Sequence, residues 1–432
     1  MNSTEFDVVV IGGGITGLFT TLDLTLRGLK VCLLERNVIG NGTSGKMHGL
    51  LHSGARYVFN DVESAIECKQ ENRIISKIAP HLVEETRGYF VAISERDERN
   101  YDEFVKGLKR ANINYKEIER EEAIREEPKL TRDVRMVIEV EDKVVFPRDL
   151  MASVAVSSYL EGAVVLQFSE VKGFNLEKDH ISEVLVEDKV SNSLRKIRAK
   201  VFLNTTGPWG GKIAKLAKLN LEVLPAAGVM NVYSRRLTRR VINRLRPPSD
   251  GDILVPYEGE SIMGTTAVII EDPDNFQVDE ESVNFLTDEG SKMIPELSKT
   301  PLIRSYASVR PLIKAEKGAR EATRDFKIIE HKEVSNLVSV IGGKFTTGRL
   351  AAEKLSDLIS KRMGLNKVSK TQDYRLFGSD PYREIRDLSH LEDISQIISS
   401  YKGSTDEDRG KPMIFGFALY LINKLSRGVM GW

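Results

Sequence analysis

Hydrophobic and polar positions follow two different periods along the first third of the chain. An apolar run at residues 8–11, typical of a buried strand, leads through a helical stretch ending at Gly28 to a second apolar run at residues 31–34. Apolar residues at helical spacing then predict helices over residues 63–78, 101–111 and 150–160. Strands and helices therefore alternate, which is the order of an α/β fold.

Three glycines between the first strand and the first helix have the spacing of a dinucleotide-binding motif. Gly12 allows a tight turn, Gly14 lets backbone N–H groups approach a pyrophosphate, and Gly17 lets the helix pack closely on the strand. Glu35 ends the second strand, where a carboxylate can accept hydrogen bonds from a ribose. The ordered set predicts an adenine dinucleotide bound at the helix N-terminus.

The pattern of the later segments predicts an inserted antiparallel sheet, after which the chain returns to the nucleotide-binding domain. Alternating stretches favour an antiparallel sheet that covers the substrate, at residues 231–234, 253–256 and 261–266. A buried strand over 337–341 and a helix through Leu358 bring the chain back. We expect a Rossmann-type nucleotide domain formed by 1–80, 145–215 and 325–370, a cap domain of α+β class formed by 81–144 and 216–324, and a small helical C-terminal region over 371–432.

Composition narrows the partners. Lysine plus arginine equals aspartate plus glutamate at 63 each in 432 residues, which gives no electrostatic reason to expect nucleic acid. Cys32 and Cys68 are far apart in sequence, so the pattern supports neither a disulfide nor a zinc or iron–sulfur site. The N-terminus has no secretory pattern and no apolar run is long enough to span a bilayer. We therefore expect a cytoplasmic protein.

The C-terminal region has helical patterns at residues 380–400 and 412–425. The second pattern is apolar and aromatic, with an uncharged core too short to cross a membrane. One interpretation is a helix docked on its own domain or on a dimer partner. The other is a helix that lies in the membrane interface or binds a membrane subunit, which would make the protein peripheral on the cytoplasmic face.

Residues 42–57 form the most unusual local segment. Thr43 and Ser44 stand between glycines, a composition suited to a loop that wraps phosphate and ribityl oxygens. His48 and His52 are four residues apart, but Gly49 and the lack of an HExxH glutamate argue against a metal pair on a helix. We expect no metal site here.

The stretch HGLLHSGARY at residues 48–57 resembles the FAD-dependent glycerol-3-phosphate dehydrogenases, especially their anaerobic-type catalytic subunit, within the D-amino-acid oxidase-like flavoproteins. The resemblance extends from residue 5 to about residue 365. It includes four more motifs in the same order, namely TTGPW at 205–209, GTT at 264–266, VRPL at 309–312 and GGKFTT at 342–347. Five ordered motifs are more specific than any one alone.

The resemblance implies FAD as the cofactor, so the nucleotide domain is expected to be an FAD-binding domain. It places Arg56 and Tyr57 at the flavin face, with Arg56 holding an anionic substrate, and makes Arg310 and Arg324 further substrate-binding residues. Lys344 is expected near both flavin and substrate, before a helix whose N-terminus faces the flavin ring. The expected cofactor-binding residues are Gly12, Gly14, Gly17, Glu35, Arg36, Thr43, Ser44, Lys46, Val171, Thr206, Gly207, Gly343, Lys344 and Thr346.

The implied reaction oxidises glycerol 3-phosphate to dihydroxyacetone phosphate by hydride transfer to flavin N5. His52 and His48 are the best candidates for accepting the hydroxyl proton, with a purely structural hydrogen bond as the alternative role, and Lys344 is the third catalytic candidate. Where related dehydrogenases often have a histidine, residues 228–231 read GVMN, which leaves the base open.

The cysteine-rich C-terminal module of some relatives is not found in the sequence, so we expect electrons to pass directly from the flavin to quinone, oxygen or an electron-acceptor protein. A homo-oligomer and a membrane-anchoring subunit are further expectations. Two other functions stay open: a flavoprotein that oxidises 2-hydroxy acids or amino acids, and a flavin- or nucleotide-binding scaffold without turnover. Arg56, Arg310 and Arg324 together favour a dianionic phosphate over a single carboxylate.

Overall fold

The computed structural model of the protein describes residues 5–313 and 325–379 together with positions 418, 422, 423, 426, 427 and 430. Within these residues the strands are β1 Glu5–Ile11, β2 Val31–Leu34, β3 Leu50–Leu51, β4 Val83–Glu84, β5 Gly88–Ala92, β6 Tyr115–Ile118, β7 Met136–Val140, β8 Lys143–Val145, β9 Val164–Leu166, β10 Ser169–Glu177, β11 His180–Asp188, β12 Ser193–Asn204, β13 Leu224–Tyr233, β14 Val241–Arg244, β15 Ile253–Tyr257, β16 Glu260–Gly264, β17 Val268–Ile269, β18 Leu302–Leu312, β19 Phe326–Glu330 and β20 Leu337–Gly342. The α-helices are α1 Ile15–Leu26, α2 Val62–Ile78, α3 Glu95–Glu98, α4 Tyr101–Arg110, α5 Arg120–Glu126, α6 Pro147–Leu160, α7 Gly210–Leu216, α8 Glu280–Met293 and α9 Gly348–Arg362.

The first sheet has a parallel centre in the order β9-β2-β1-β12-β20, extended by β10, β11 and β19 in antiparallel pairing. Helices α1, α6 and α9 cover one face, while α7 and the β10-β11 hairpin cover the other. Covering on both faces explains why β1 and β2 are almost continuously apolar. The carboxyl ends of the parallel strands meet at one edge, where open α/β sheets bind their ligands.

The turn from β1 into α1 depends on two of its glycines. Gly12 has φ +107°, and its N–H donates to the Leu34 carbonyl of β2 at 2.8 Å. A Cβ on Gly17 would lie 2.0 Å from the Gly12 carbonyl oxygen and 2.5 Å from Thr205 Oγ1. Helix α1 therefore approaches the turn more closely than any side chain at residue 17 would allow.

The second sheet has nine strands in the order β17-β13-β16-β15-β14-β5-β7-β6, with β18 also paired to β13. Its pairs are antiparallel except β5 with β14, which is parallel; these two strands come from distant parts of the chain and no hairpin joins them. Helices α2 and α4 pack on one face, and α5 and α8 on the other. A small sheet has the order β3-β8-β4. The domain boundaries given above stay a prediction.

The described C-terminal positions lie against the edge of the first sheet. Val165 N–H, on edge strand β9, donates to Ser426 Oγ at 3.0 Å, and Gln167 N–H donates to Asn423 Oδ1 at 2.8 Å. Arg427 forms an ion pair with Asp188 of β11. These contacts attach the described C-terminal positions to the first sheet, and they occupy backbone donors that an edge strand leaves open.

The α/β fold class predicted from the sequence is confirmed. The predicted helices at 63–78 and 101–111 are α2 and α4, and the third helix begins earlier than expected because Pro147 is suited to a first helical turn. The predicted helix over 380–400 and most of the pattern at 412–425 lie outside the described residues. Over the described positions, none of the helices combines the length and apolar character that crossing a bilayer requires.

Candidate cofactor and substrate site

A cavity of about 760 Å³ lies where the carboxyl ends of the first sheet face strands β13 and β18 of the second sheet. Ligand pockets commonly enclose ~300–1,000 Å³. The first sheet contributes the turns after β1, β12 and β20, and a loop over residues 40–48 forms another wall. The cavity is continuous from Glu35, at one end of β2, to Lys344, after β20. It therefore brings together most of the residues that the sequence singled out.

The N-terminus of α1 forms one wall. Residues 12–16 line the cavity there, and Ile15 N–H donates to Ser44 Oγ at 3.1 Å. A Cβ on Gly14 would lie 3.3 Å from the same oxygen, so glycine lets the 40–48 loop approach the helix. The positive end of the helix dipole faces this space and favours a bound anion. Gly17 does not line the cavity but packs against the Gly12 carbonyl, and its expected cofactor contact stays a prediction.

Glu35 lies beside the glycine turn. Its Oε2 accepts the Gly13 N–H and its Oε1 accepts the Asn37 N–H, both at 2.8 Å. Burial raises the pKa of the Glu35 carboxyl, and the two backbone hydrogen bonds oppose that shift. Each oxygen retains a further lone pair, so the carboxylate is fixed in a position from which it can still accept from a ribose. The ribose contact stays a prediction.

A charged cluster at the rim contains Arg36. Its guanidinium stacks 4.6 Å from the Trp209 ring centroid and pairs with Asp274 at 2.8 Å. Asp274 also accepts from Trp209 Nε1 and from Lys212, each at 2.7 Å. Burial opposes the shift, but these three donors hold the pKa of Asp274 well below its usual range. Lys212 and Asp274 were not identified from the sequence because they are joined only by the fold.

The expected phosphate- and ribityl-binding loop is fixed to β18. Thr43 Oγ1 donates to the Val309 carbonyl, and Ser308 Oγ donates to the Thr43 carbonyl at 3.3 Å. Thr43, Ser44 and Lys46 all line the cavity. The remaining expected cofactor contacts that line it are Val171, Thr206, Gly207, Gly343 and Thr346.

His48, His52, Tyr57 and Lys344 form a row along the cavity wall. The ring centroids of the two histidines are 6.3 Å apart, and that of His52 is 5.3 Å from that of Tyr57. Lys344 Nζ lies 4.9 Å from the Tyr57 ring and donates to Ser64 Oγ at 2.9 Å. His48 Nδ1 accepts the Leu50 N–H at 3.1 Å, so protonating that nitrogen would break an existing bond.

Two predicted substrate arginines line the same cavity. Arg56 is only 6% exposed, and its Nη2 is paired with Asp252 Oδ2 at 3.1 Å. Arg310 Nη2 donates to the Thr265 hydroxyl and to the Thr266 carbonyl at 3.1 Å. A Cβ on Gly228 would lie 2.5 Å from Arg310 Nη2, so this glycine makes room for the guanidinium. Arg310 is therefore a cavity residue, and the third predicted arginine, Arg324, lies outside the described residues.

The GVMN stretch at residues 228–231, which has no histidine, lies in β13 of the second sheet. Met230 is buried and lines the cavity, whereas Asn231 donates to the Val283 carbonyl at 2.9 Å. A thioether cannot act as a general base, so β13 contributes apolar surface at Met230. Among the described residues, no group of three or more histidine, cysteine, aspartate or glutamate side chains is arranged to hold a metal ion.

Comparison with known proteins finds similarity to one protein family, to named relatives and to solved structures. A family model described as FAD dependent oxidoreductase matches residues 7–358. The chain is 36% identical over 396 residues to the A1 component of the anaerobic glycerol-3-phosphate dehydrogenase of Haloferax volcanii, covering 88% of this chain and 68% of the relative. It is 37% identical over 391 residues to the corresponding component of the Escherichia coli K12 enzyme of the same name, covering 89% and 72%. The solved glycerol-3-phosphate dehydrogenase of Bacillus halodurans, complexed with FAD, has a TM-score of 0.73 at 22% identity, covering 99% of this chain and 83% of the other.

Proposed function

Because the chain belongs to the FAD-dependent oxidoreductase family and, within it, to the glycerol-3-phosphate dehydrogenases, we propose that it oxidises sn-glycerol 3-phosphate to dihydroxyacetone phosphate with FAD as cofactor. One observation carries the proposal. Arg56 and Arg310 line the same cavity as the N-terminus of α1, so an anion-binding region and a dinucleotide-binding region share one space.

The residues present fit FAD. The backbone of Gly12 to Thr16 would hold the pyrophosphate, because no side chain at Gly12 or Gly14 blocks the helix N-terminus. Glu35 would accept from the adenosine ribose, and Ser44 and Thr43 lie where a long cofactor passes toward Lys344. The ammonium of Lys344 and the N-terminus of α9 would favour electron density on the flavin ring. Bound FAD supplies the acceptor for the hydride that leaves C2 of the alcohol.

The substrate is held by charge. Glycerol 3-phosphate carries a dianionic head group, and guanidinium forks bind such oxygens more specifically than ammonium groups do. Arg56 and Arg310 would bind the phosphate, while Met230 and Ile253 exclude water from part of the wall. Two arginines on one cavity favour a phosphorylated alcohol over a 2-hydroxy acid or an amino acid, each of which presents one carboxylate.

His52 would take the hydroxyl proton as the hydride leaves C2. Its ring packs edge-on against Tyr57, and its backbone N–H donates to Thr346 Oγ1 at 3.3 Å, which fixes the loop relative to the turn after β20. The proton and the hydride leave the same alcohol carbon–oxygen unit, so the product is a ketone. Lys344 lies beside Tyr57 and would stabilise the negative charge that develops on the oxygen.

Electrons would then pass to an acceptor other than NAD, such as a quinone or an electron-transfer protein. The similar H. volcanii and E. coli proteins are named as subunits, which supports a multi-subunit assembly for this chain. We extend the proposal to a membrane-anchoring partner and to peripheral attachment at the cytoplasmic face. A homo-oligomer is also proposed.

Turnover with a panel of substrates tests the function. Purified protein would be mixed with an artificial electron acceptor and with glycerol 3-phosphate, glycerol, a 2-hydroxy acid or an amino acid, and dihydroxyacetone phosphate would be measured enzymatically. Of the compounds in the panel, we expect only glycerol 3-phosphate to be turned over. Faster turnover with the hydroxy acid or the amino acid would show that this compound, and not glycerol 3-phosphate, is the substrate. No turnover with any compound of the panel would favour a binding protein without catalytic activity.

A further inference from the structure

We propose that Asp252 is a positioning residue, which holds Arg56 so that one edge of its guanidinium is free to bind the phosphate of the substrate. Asp252 thereby sets the preference for a phosphorylated alcohol. The inference rests on the proposed function and names a residue that does not itself line the cavity.

Asp252 is fully buried immediately before β15, whereas Arg56 comes from the segment after β3. Arg56 Nη2 donates twice, to Asp252 Oδ2 at 3.1 Å and to the Ser249 carbonyl at 3.2 Å. Ser249 N–H donates back to Asp252 Oδ2 at 2.6 Å, so the turn and the carboxylate are fixed together. One nitrogen of the guanidinium is thus fully occupied.

The other terminal nitrogen is different. Arg56 Nη1 is buried, and it has no hydrogen-bond partner among the described residues, although the side chain lines the cavity. A buried charged donor without a partner is costly, and an anion in the cavity would remove that cost. Because Nη1 and Nη2 belong to one planar group, fixing Nη2 on Asp252 also fixes the direction of Nη1.

Arg56 belongs to a network of buried and half-buried charged groups. Asp252 is shared with Arg246, whose Nε donates to Oδ1 at 2.7 Å, so one carboxylate serves two guanidinium groups. Arg246 has a second carboxylate in Glu289 at 3.1 Å, which does not contact Arg56. Asp142 is also buried, with its pKa raised by burial, and the positive charge of Arg56 acts against that rise. These contacts engage Nη2 of Arg56, so Nη1 is the atom left to bind an anion in the cavity.

Asp252→Asn tests the inference, with Glu289→Gln as its matched control. The asparagine is nearly isosteric but lacks the charge that holds Nη2, whereas the control removes a charge from the same network without touching Arg56. For Asp252→Asn we expect KM for glycerol 3-phosphate to rise about tenfold or more, the cost of a misdirected charge-assisted hydrogen bond, with kcat little changed.

Binding gives a second readout. The Kd of dihydroxyacetone phosphate for the FAD-loaded protein, measured by calorimetry, should rise by a similar factor in Asp252→Asn and stay unchanged in Glu289→Gln. In an Arg56→Lys background, Asp252→Asn should add no further increase, because it acts through Arg56. If Asp252→Asn does not retain FAD, Asp252→Glu replaces it, since this change keeps the charge but moves the carboxylate by one methylene.

The outcomes separate the two proposals. Wild-type protein that does not turn over glycerol 3-phosphate contradicts the proposed function. An active wild-type enzyme with the same KM and Kd in Asp252→Asn, or with equal rises in Asp252→Asn and Glu289→Gln, overturns the positioning role alone.

Discussion

Gly228→Ala should weaken substrate binding from outside the cavity. A Cβ at this position would lie 2.5 Å from Arg310 Nη2 and 2.6 Å from the Thr266 carbonyl oxygen, against 3.4–4 Å for ordinary contact. The guanidinium must therefore move by about 1 Å, and a displacement of that size can cost on the order of 100-fold in rate. A lost charge-assisted hydrogen bond, worth about 1.5–3 kcal/mol, gives a similar estimate of about 10- to 100-fold in kcat/KM.

The assay is steady-state turnover of glycerol 3-phosphate, with FAD content and melting temperature measured in parallel. Gly173→Ala is the matched control, because residue 173 also lies in a strand and, among the described residues, nothing is within 4 Å of a Cβ placed there. We expect kcat/KM for glycerol 3-phosphate to fall only in Gly228→Ala, with FAD retained. An unchanged kcat/KM in folded Gly228→Ala would refute Arg310 as a phosphate ligand.

Two further predictions concern stability. Glu71→Gln breaks the buried ion pair with Arg349 that joins α2 to α9, in which both side chains are 2% exposed, and should lower the free energy of unfolding in urea by about 3–5 kcal/mol. Glu67→Gln, in the more exposed pair with Lys354, should lower it by at most about 1 kcal/mol. Equal effects of the two changes would contradict this prediction. Burial, with Glu258 nearby, raises the pKa of Asp149 from 3.8 to about 6, so the carboxyl destabilises the fold once it ionises. Asp149→Asn should therefore raise the melting temperature at pH 7.5, and this gain should disappear toward pH 4. A gain that does not depend on pH would show that ionisation of Asp149 is not its cause.

The sequence predicted the elements that depend on local patterns. The run at residues 8–11, the glycines at 12, 14 and 17, and the helices at 63–78 and 101–111 each contain their own signal, so the structure confirms them as β1, the β1–α1 turn, α2 and α4. The TTGPW motif after β12 and the GGKFTT motif after β20 also lie at the cavity, because both follow parallel strands of one sheet.

The features that could not be predicted depend on contacts between distant segments. Asp252 and Gly228 have no motif of their own, and their importance follows from Arg56 and Arg310, which reach them only in the folded chain. The pairing of Arg36 with Asp274 brings together residues from a strand end and a remote loop. The parallel pairing of β5 with β14 could not be predicted either, because a period-two pattern does not show the direction in which strands pair.

The most direct test of the central claim is the absorbance of the purified, FAD-loaded protein on anaerobic mixing with glycerol 3-phosphate. The flavin band should bleach with stoichiometric formation of dihydroxyacetone phosphate, and glycerol at the same concentration should leave the band unchanged. A flavin band that persists with glycerol 3-phosphate would contradict the proposed oxidation.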